Sequence, residues 1–407
     1  MKLNLRSRLL GRLALLAALA ATATTLTALH AEEEDPLARW RSGVQIRPVL
    51  PADAARHSIH SYFNTNPESP DGKYVLFYSS TAANSHTGEV HVINRATGEE
   101  KTLATNLEVE DAHRAACQQW MSGGKRVAFH GLRDGKWFVG VVDLDTGKER
   151  VLATDRLSCW GQPHADLVPI YGQHWAPGEH RDLELVNVAT GEIKKVLTAD
   201  AVRQQYPQWI QEAYGDKPIS IFFPNLSPGL DRVFFKLASA GPTGDPRSSA
   251  ASARQGLICY SIAEQRFLYQ NNRWGHPSWH PDKKSIVETA FFLYNSDDGK
   301  YVRLPGLPAV RGDHPSASPD GKLIVTDTTM DRFGKDANSW GIVLADARGN
   351  NHVMIHQFLN NAGARSWRRS HPHPVFSADG KRIYFNVSSG PWTQLYVAEC
   401  GPTAAGK

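Results

Sequence analysis

A short turn motif recurs along the chain and constrains its fold more than any other feature. Its consensus is Ser-x-Asp-Gly-Lys, and each clear copy is followed by an apolar run such as residues 74–77. Asp-Gly pairs between apolar runs mark tight turns between strands. The clear copies occur at residues 69–73, 318–322 and 377–381, and degenerate copies begin at Ser122, His164, Ser227 and His280. The chain therefore carries seven repeats.

A second turn, containing Thr-Gly, follows the first in several repeats. It occurs at residues 96–99, 145–148 and 189–192, between two further apolar segments. Each repeat therefore contains four strands joined by two tight turns, which is the arrangement of one four-stranded antiparallel sheet. A period of about 50 residues is typical of a propeller blade. We therefore predict an all-β, seven-bladed β-propeller as a single domain, with a short helix within residues 199–214.

The first 31 residues have the features of a secretory signal peptide. Four cations, the last of them Arg12, precede an apolar run rich in Leu and Ala, and small residues lead to a cleavage site after Ala31. This arrangement is typical of bacterial export signals. We predict that residues 32–407 form the mature domain, which is periplasmic or secreted and has no membrane anchor after cleavage.

Removal of the leader also sets the charge of the mature chain. The formal net charge is +4, and the leader holds four cations and no anion, so the mature chain is neutral. A neutral chain lacks the basic character of nucleic-acid-binding proteins. The four cysteines form no Cys-x-x-Cys pair, which argues against a zinc ribbon or a dithiol redox motif and leaves their pairing open: Cys117, Cys159, Cys259 and Cys400.

Histidines recur at one position of three consecutive repeats. His276, His314 and His373 each lie four residues before the first residue of the turn motif, and each is followed by proline. His371 lies two residues before His373. Equivalent positions ahead of the innermost strands of a propeller form a ring around one mouth of the central channel. We therefore expect these imidazoles to lie close together.

Clustered neutral imidazoles form a typical metal site with room for water or substrate. A single histidine here would be better explained by packing, or by the extended backbone that proline favours before it, and residues 371 and 373 would face opposite ways unless the prolines bend the chain. The shared register nevertheless favours metal. In earlier repeats this register holds Gln118, which we assign to ligand binding, and Phe223.

These segments together resemble the oligogalacturonate lyases, seven-bladed propellers that cleave short pectic oligomers. The His-Pro-His-Pro sequence is the most specific match. The resemblance implies a divalent metal, typically Mn²⁺, at His314, His371 and His373, and a catalytic centre at Arg254 and His276. The matching segments are short motifs scattered over most of the mature chain: residues 61–63, 253–254, His276 before Trp279, His314 before residues 320–323, and residues 371–374.

Two positions depart from the pattern of that family. The family has a glutamine metal ligand three residues before its His-Pro-His-Pro sequence, where this chain has Arg368. A guanidinium is a poor metal ligand but suits a carboxylate, so we assign Arg368 to substrate binding; the alternative is that the metal site has been lost. In the fourth repeat, Phe223-Pro224 replaces an expected His-Pro. Both changes leave the substrate open.

The resemblance implies β-elimination on an acidic oligosaccharide. Removal of the C5 proton of a uronate builds negative charge on its carboxylate, which a metal or an arginine stabilises. His276 is the more natural proton acceptor, because an arginine base needs an unusually basic partner; the base stays open between His276 and Arg254. Two other functions fit the sequence: a non-catalytic periplasmic scaffold, and a lyase for another uronate polysaccharide. The sequence does not indicate the oligomeric state.

Overall fold

The computed structural model of this protein is mainly β-structure. It describes residues 35–83, 86–112, 114–248, 250–289, 291–304, 313–333, 335, 338–348, 351–359 and 371–400. The predicted signal peptide and Arg368 lie outside the described residues, so the export signal and the role assigned to Arg368 stay predictions. No helix in the described part is long and apolar enough to cross a membrane.

The sequence repeats fold into four-stranded antiparallel sheets. The described chain begins with β1 (Gln45–Pro48). Blade 1 follows with β2 (His57–Ile59), β3 (Tyr74–Ser80), β4 (Thr87–Asn94) and β5 (Glu100–Glu108), and blade 2 with β6 (Gln119–Met121), β7 (Arg126–Arg133), β8 (Lys136–Asp143) and β9 (Glu149–Thr154). Blade 3 consists of β10 (Leu157–Ser158), β11 (Leu167–Tyr171), β12 (Leu183–Asn187) and β13 (Ile193–Leu197).

The remaining strands complete four further sheets. Blade 4 consists of β14 (Ser220–Leu226), β15 (Arg232–Ala240), β16 (Ser252–Ser261) and β17 (Arg266–Asn271), and blade 5 of β18 (Ser278–Trp279), β19 (Ser285–Glu288), β20 (Phe292–Asn295) and β21 (Tyr301–Arg303). Blade 6 consists of β22 (Ser316–Ala317), β23 (Leu323–Thr329), β24 (Ser339–Asp346) and β25 (His352–Leu359). Blade 7 consists of β26 (Val375–Phe376), β27 (Arg382–Val387), β28 (Gln394–Glu399) and the N-terminal strand β1.

The described strands thus form seven four-stranded units, and the predicted all-β propeller is confirmed. One residue pair, Glu108 in β5 with Leu132 in β7, joins blades 1 and 2. β1 pairs with β28 from Gln45–Glu399 to Pro48–Tyr396, so one strand from the N-terminal side completes the last blade. This pairing brings the two ends of the described chain into one sheet.

The recurring motif forms the same turn in each clear copy. In the first, Ser69 Oγ donates to Asp71 Oδ1 at 2.5 Å, while the amide of Lys73 donates to both side chains. Gly72 has φ +72°, a conformation that glycine adopts without strain, and the equivalent Gly321 and Gly380 have φ +70° and +68°. The hydrogen bond from Ser69 lowers the pKa of Asp71. These aspartates are therefore turn formers.

A buried ion pair connects blade 7 to blade 1. Arg382 donates two hydrogen bonds to Glu68, from Nε at 2.7 Å and from Nη2 at 2.8 Å, and Tyr384 donates a third from its hydroxyl. The fork of a guanidinium matches the two oxygens of a carboxylate, which makes such pairs both strong and directional. The contact reinforces the ring at the junction between its last and first blades.

The core consists of apolar layers between neighbouring blades. Successive side chains of a strand point to opposite faces. In β3, Leu76 and Tyr78 accordingly pack in the layer shared with blade 2, while Val75 and Phe77 pack in the layer shared with blade 7. Both faces of the sheet are covered in this way, which explains the continuous apolar runs that follow the turns. All four cysteines are free thiols.

Two short helices, α1 (Ala199–Gln205) and α2 (Pro207–Tyr214), lie between blades 3 and 4, where one helix was predicted. Thr198 caps α1 by accepting a hydrogen bond from the amide of Ala201 at 3.1 Å. Pro207 lacks an amide hydrogen and starts the second helix, which is its favoured position. Short 3₁₀ turns occupy Ala38–Trp40, Ser122–Gly124 and Met330–Phe333.

Candidate active site

A cavity of about 200 Å³ lies where the linkers that enter several blades converge. The residues that line it come from blades 1 and 4 and from the linkers ahead of blades 2, 5, 6 and 7, so the cavity is near the axis of the ring. The lining residues are Tyr62, Asp111, Arg114, Phe222, Phe223, Lys236, Arg254, Trp274, His276, His314, His371 and His373.

Four histidines, here called the imidazole cluster, form one side of the cavity: His276, His314, His371 and His373. Each of the last three offers a ring nitrogen, and these nitrogens lie within 4.8 Å of one another. The ring centroid of His314 is 4.5 Å from that of His373 and 4.3 Å from that of His276. The register inferred from the repeats therefore brings these rings into contact.

Asp327, in β23, orients the imidazole cluster from behind. Its carboxylate is buried and accepts a hydrogen bond from Nδ1 of His314 at 2.9 Å. It also accepts from the backbone amide of His314 at 3.0 Å and from that of His373 at 3.2 Å. One carboxylate thus fixes the ring of one histidine and the backbone of two.

The backbone at His373 shows how two histidines only two residues apart can reach one site. In an extended strand their side chains would face opposite ways. His373 instead has φ +47°, a left-handed conformation that costs a non-glycine residue about 1–3 kcal/mol. The bond from its amide to Asp327 and the bond from the Asn386 amide to the Pro372 carbonyl, at 2.8 Å, hold this bend. The bend lies at His373 itself, between the two prolines.

Three cations, here called the cationic wall, form the other side of the cavity: Arg114, Lys236 and Arg254. The ammonium of Lys236 lies 4.2 Å from the ring centroid of Trp274, and the guanidinium carbons of Arg114 and Arg254 lie 5.5 and 4.9 Å from that of Phe222. Burial and the charges of the two arginines hold the pKa of Lys236 well below its ordinary value. Partial burial and Arg114 also lower the pKa of Arg254. Basic side chains packed this closely repel one another, and an anion between them would offset that repulsion.

The segment that carries His276 is held by groups at the end of blade 5. The amide of His276 donates to Oγ1 of Thr289 at 3.0 Å, and the amide of Gly275 donates to the carboxylate of Glu288 at 2.9 Å. Burial raises the pKa of Glu288 to about 7. A second buried carboxylate therefore lies behind the imidazole cluster.

The structure brings together five of the residues predicted from the sequence. Arg254, His276, His314, His371 and His373 all line the one cavity. Gln118 lies elsewhere: its side chain is buried and its amide donates to the carbonyl of Ile59 at 2.9 Å, across the junction of blades 1 and 2. Arg368, as noted, is outside the described residues.

Several residues of the site were not singled out from the sequence. Asp327 had a detectable signal, because it is a lone charge within the otherwise uncharged strand Leu323–Thr329. Lys236 could have been recognised in the same way, because it is a charged residue within the apolar run of β15. Arg114 lies in a linker without any repeat register. A charge inside a buried strand is unusual enough to indicate a partner or a ligand.

Comparison with known proteins agrees with the fold. No family model and no curated protein sequence matches this chain. Among solved structures, an oligogalacturonate lyase from Vibrio parahaemolyticus is similar at 15% identity with a TM-score of 0.62, over 88% of this chain and 94% of that one. An oligogalacturonate lyase in complex with manganese is similar at 17% identity with a TM-score of 0.60, over 89% of this chain and 94% of that one. At this identity, what the chain shares with these proteins is the propeller fold.

Proposed function

We propose that this protein is a lyase that cleaves uronic-acid oligosaccharides by β-elimination, with oligogalacturonides as the first substrates to test. One observation carries the proposal: the imidazole cluster and the cationic wall line the same cavity, so proton-accepting, metal-binding and anion-binding groups lie together. Both solved structures named above are oligogalacturonate lyases, which supports it. We also propose that the protein acts in the periplasm or outside the cell.

The residues of the imidazole cluster fit a divalent metal. His314, His371 and His373 present three nitrogens within 4.8 Å, and imidazole is a common ligand for first-row metals. Asp327 accepts the Nδ1 hydrogen of His314, which leaves Nε2 as its ligand atom; metal-binding histidines usually have such a partner. We propose that these three residues hold Mn²⁺ or a similar ion. When bound, it would supply positive charge to the substrate carboxylate as that group gains negative charge.

The cationic wall would bind and orient the acidic sugar. A carboxylate makes strong, charge-assisted hydrogen bonds with lysine and arginine, and the low polarity near Phe222 and Trp274 strengthens them. Lys236 and Arg254 come from neighbouring strands of blade 4. Their carboxylate partner would be held facing the imidazole cluster.

β-Elimination then requires one proton acceptor. The proton leaves C5, its electron pair forms the C4=C5 double bond, the C4–O4 bond breaks, and O4 leaves and takes up a proton. His276 and Arg254 both line the cavity and are the two candidates for the base. Imidazole titrates near neutrality, which suits this role. A guanidinium ordinarily stays protonated, but the lowered pKa of Arg254 brings its deprotonation closer to the working pH. We assign the base to one of these two residues.

The first experiment follows formation of the double bond. Purified protein of residues 32–407 is stripped with chelator and incubated with di- and trigalacturonate, with and without Mn²⁺, while ultraviolet absorbance is recorded. The proposal expects absorbance that depends on metal. Absence of absorbance and of bound metal would contradict the lyase and favour a binding propeller, whereas bound metal without absorbance would point to another uronate polymer.

Two variants test the assignment of the base. His276→Ala should abolish turnover and keep substrate binding, measured by calorimetry, if His276 accepts the proton. His280→Ala is the matched control, because this histidine lies four residues further along, in the turn of blade 5, and does not line the cavity. Full activity of His276→Ala would exclude it and leave Arg254 as the base.

A further inference from the structure

A third buried carboxylate lies behind the cationic wall. Glu110, in the linker ahead of blade 2, is 2% exposed and forms an ion pair with Arg114. Arg114 also donates from Nη1 to the hydroxyl of Tyr171 at 2.8 Å. On its other side, Oε2 of Glu110 lies 3.6 Å from Nε2 of His174, a buried residue in the loop after β11. A charge removed from water in this way needs such partners.

From His174, contacts continue to the cavity. Nδ1 of His174 lies 2.8 Å from Oγ of Ser252, the first residue of β16, which is also buried. Oγ of Ser252 accepts a hydrogen bond from Nε of Arg254 at 2.8 Å. Four residues from three parts of the fold therefore form one series of contacts, which begins at a buried carboxylate and ends at a cavity-lining guanidinium.

The donors and acceptors along this series fit in one direction. Burial, together with the charges of Arg254 and Arg114, holds the pKa of His174 well below its ordinary value, so its imidazole is neutral and has one N–H. Nε2 of this imidazole faces the carboxylate of Glu110, which accepts hydrogen bonds, so the single N–H is placed on Nε2. Nδ1 then accepts a hydrogen bond from the hydroxyl of Ser252, whose oxygen in turn accepts from Nε of Arg254. The distance of 3.6 Å between Nε2 of His174 and Oε2 of Glu110 is longer than a hydrogen bond, so this link of the series is electrostatic.

We propose that Glu110, His174 and Ser252 are positioning residues that fix the guanidinium of Arg254 in the cavity. Glu110 thereby anchors both arginines of the cationic wall, one through a direct ion pair and the other through His174 and Ser252. The long side chain of Arg254 has a directional contact at Nε, which leaves its two terminal amino groups for an anionic ligand. The effect of this positioning on catalysis rests on the proposed function, whereas the contacts that position Arg254 do not.

The first test is independent of activity. In protein labelled with ¹⁵N-arginine, the Nε–H resonance of Arg254 is identified by its loss in Arg254→Lys. We expect it to be protected from solvent exchange in the wild type, and to shift and exchange at least about tenfold faster in Ser252→Ala. His174→Asn keeps an oxygen acceptor near the position of Nδ1 but loses the contact with Glu110, so it should give a smaller change.

The matched control is Ser239→Ala. Ser239 is buried in β15, beside the strand that carries Ser252, and within the described part of the chain its hydroxyl makes no hydrogen bond. This variant should leave the Arg254 resonance unchanged. An Arg254 resonance that is the same in Ser252→Ala as in the wild type would overturn the proposal, whether or not the protein cleaves any uronate.

Kinetics extend the test if the protein is a lyase. We expect Ser252→Ala to lower kcat/KM by about tenfold or more, and Ser252→Thr, which keeps the hydroxyl, to restore most of it. In an Arg254→Lys background, Ser252→Ala should lower kcat/KM only slightly further, because both changes act through the same guanidinium. A full additional loss in that background would mean that Ser252 acts independently of Arg254.

Discussion

The imidazole cluster and the cationic wall share one cavity but originate differently in the chain. The cluster uses the same position in three successive repeats, ahead of the innermost strands of blades 5, 6 and 7. The wall combines Lys236 and Arg254, from two neighbouring strands of blade 4, with Arg114 from a linker. Equivalent positions of neighbouring blades lie close together in the ring, which is sufficient to assemble the imidazole cluster. The cationic wall forms only because two strands of blade 4 and one linker meet at the cavity.

The two sides also differ in how their buried carboxylates act. Asp327 bonds directly to two members of the imidazole cluster, through a ring nitrogen and two amides. Glu110 contacts Arg114 directly but reaches Arg254 only through two intervening residues. We therefore expect a change at Asp327 to disturb the metal ligands as a unit, and a change on the other side to alter substrate binding without affecting the metal.

The largest effect is expected for His314→Ala. This change removes one of the three proposed ligands and the only one whose ring nitrogen bonds to Asp327 among the described residues. We expect bound metal to be lost and kcat/KM to fall by about a hundredfold or more, measured by metal analysis and by the absorbance assay. The exposed His352→Ala is the control. Full activity in metal-free His314→Ala would show that catalysis does not need the metal.

A smaller effect is expected for Asp327→Asn. Replacing a carboxylate that orients a metal-binding histidine usually lowers metal affinity by about 10–100-fold. We expect that loss for Mn²⁺ in calorimetric titration, with substrate affinity at saturating metal nearly unchanged. Asp346→Asn, at a surface turn of the same blade, should bind the metal normally. A weaker substrate affinity with normal metal affinity would show that Asp327 serves the wall rather than the cluster.

Lys236→Met should produce the opposite pattern. The methionine keeps the bulk beside Trp274 and removes the charge. Loss of a charged hydrogen bond to the substrate carboxylate should raise KM by about tenfold, with Mn²⁺ affinity unchanged. Initial rates at several substrate concentrations measure this effect. An unchanged KM would remove Lys236 from the substrate site, and lost metal binding would contradict the separation of the two sides.

A fourth effect concerns stability instead of activity and is a pH dependence at Glu288. Burial raises the pKa of this carboxyl from 4.5 to about 7 in the folded state, so stability that is present below pH 4.5 is lost as the pH rises through 7. Glu288→Gln should remove this dependence, so its stability relative to the wild type should be higher at pH 8 than at pH 4.5 by on the order of 3 kcal/mol. Urea unfolding at several pH values measures it. Equal pH dependence in both proteins would mean that the carboxyl titrates normally.

Much of the fold could be predicted because the repeats are local. The turn at residues 69–73 and its copies fix where strands begin, and the apolar runs that follow are long enough for strands covered on both faces. The helical segment was less predictable: Thr198 and Pro207 are both starting signals, so residues 199–214 form two helices instead of one. Local signals of this kind decide each boundary.

Arg254 was predicted from the family resemblance, but the residues alone made the site predictable only where it repeats. His276, His314 and His373 share a register, and this register placed them in one cavity. Glu110, His174 and Ser252 have no such relation, because their contacts depend on how a linker, a loop and a strand edge meet across blades. Gln118 occupies the equivalent position of an earlier repeat, but its side-chain amide donates a hydrogen bond to the carbonyl of Ile59 and does not line the cavity. Register predicts where a backbone passes, while the side-chain direction depends on available partners.

The pairing of β1 with β28 has a consequence for the order of folding. Six blades consist of consecutive strands and can form as the chain emerges, but the seventh needs strands from both ends of the described chain. Closing so long a loop is slow relative to local hairpin formation, because the chain loses conformational entropy before the stabilising contacts between its ends have formed. The ring is therefore completed last. Until then, blades 7 and 1 lack their shared face, including the Glu68 contact, and the incomplete ring exposes apolar edges.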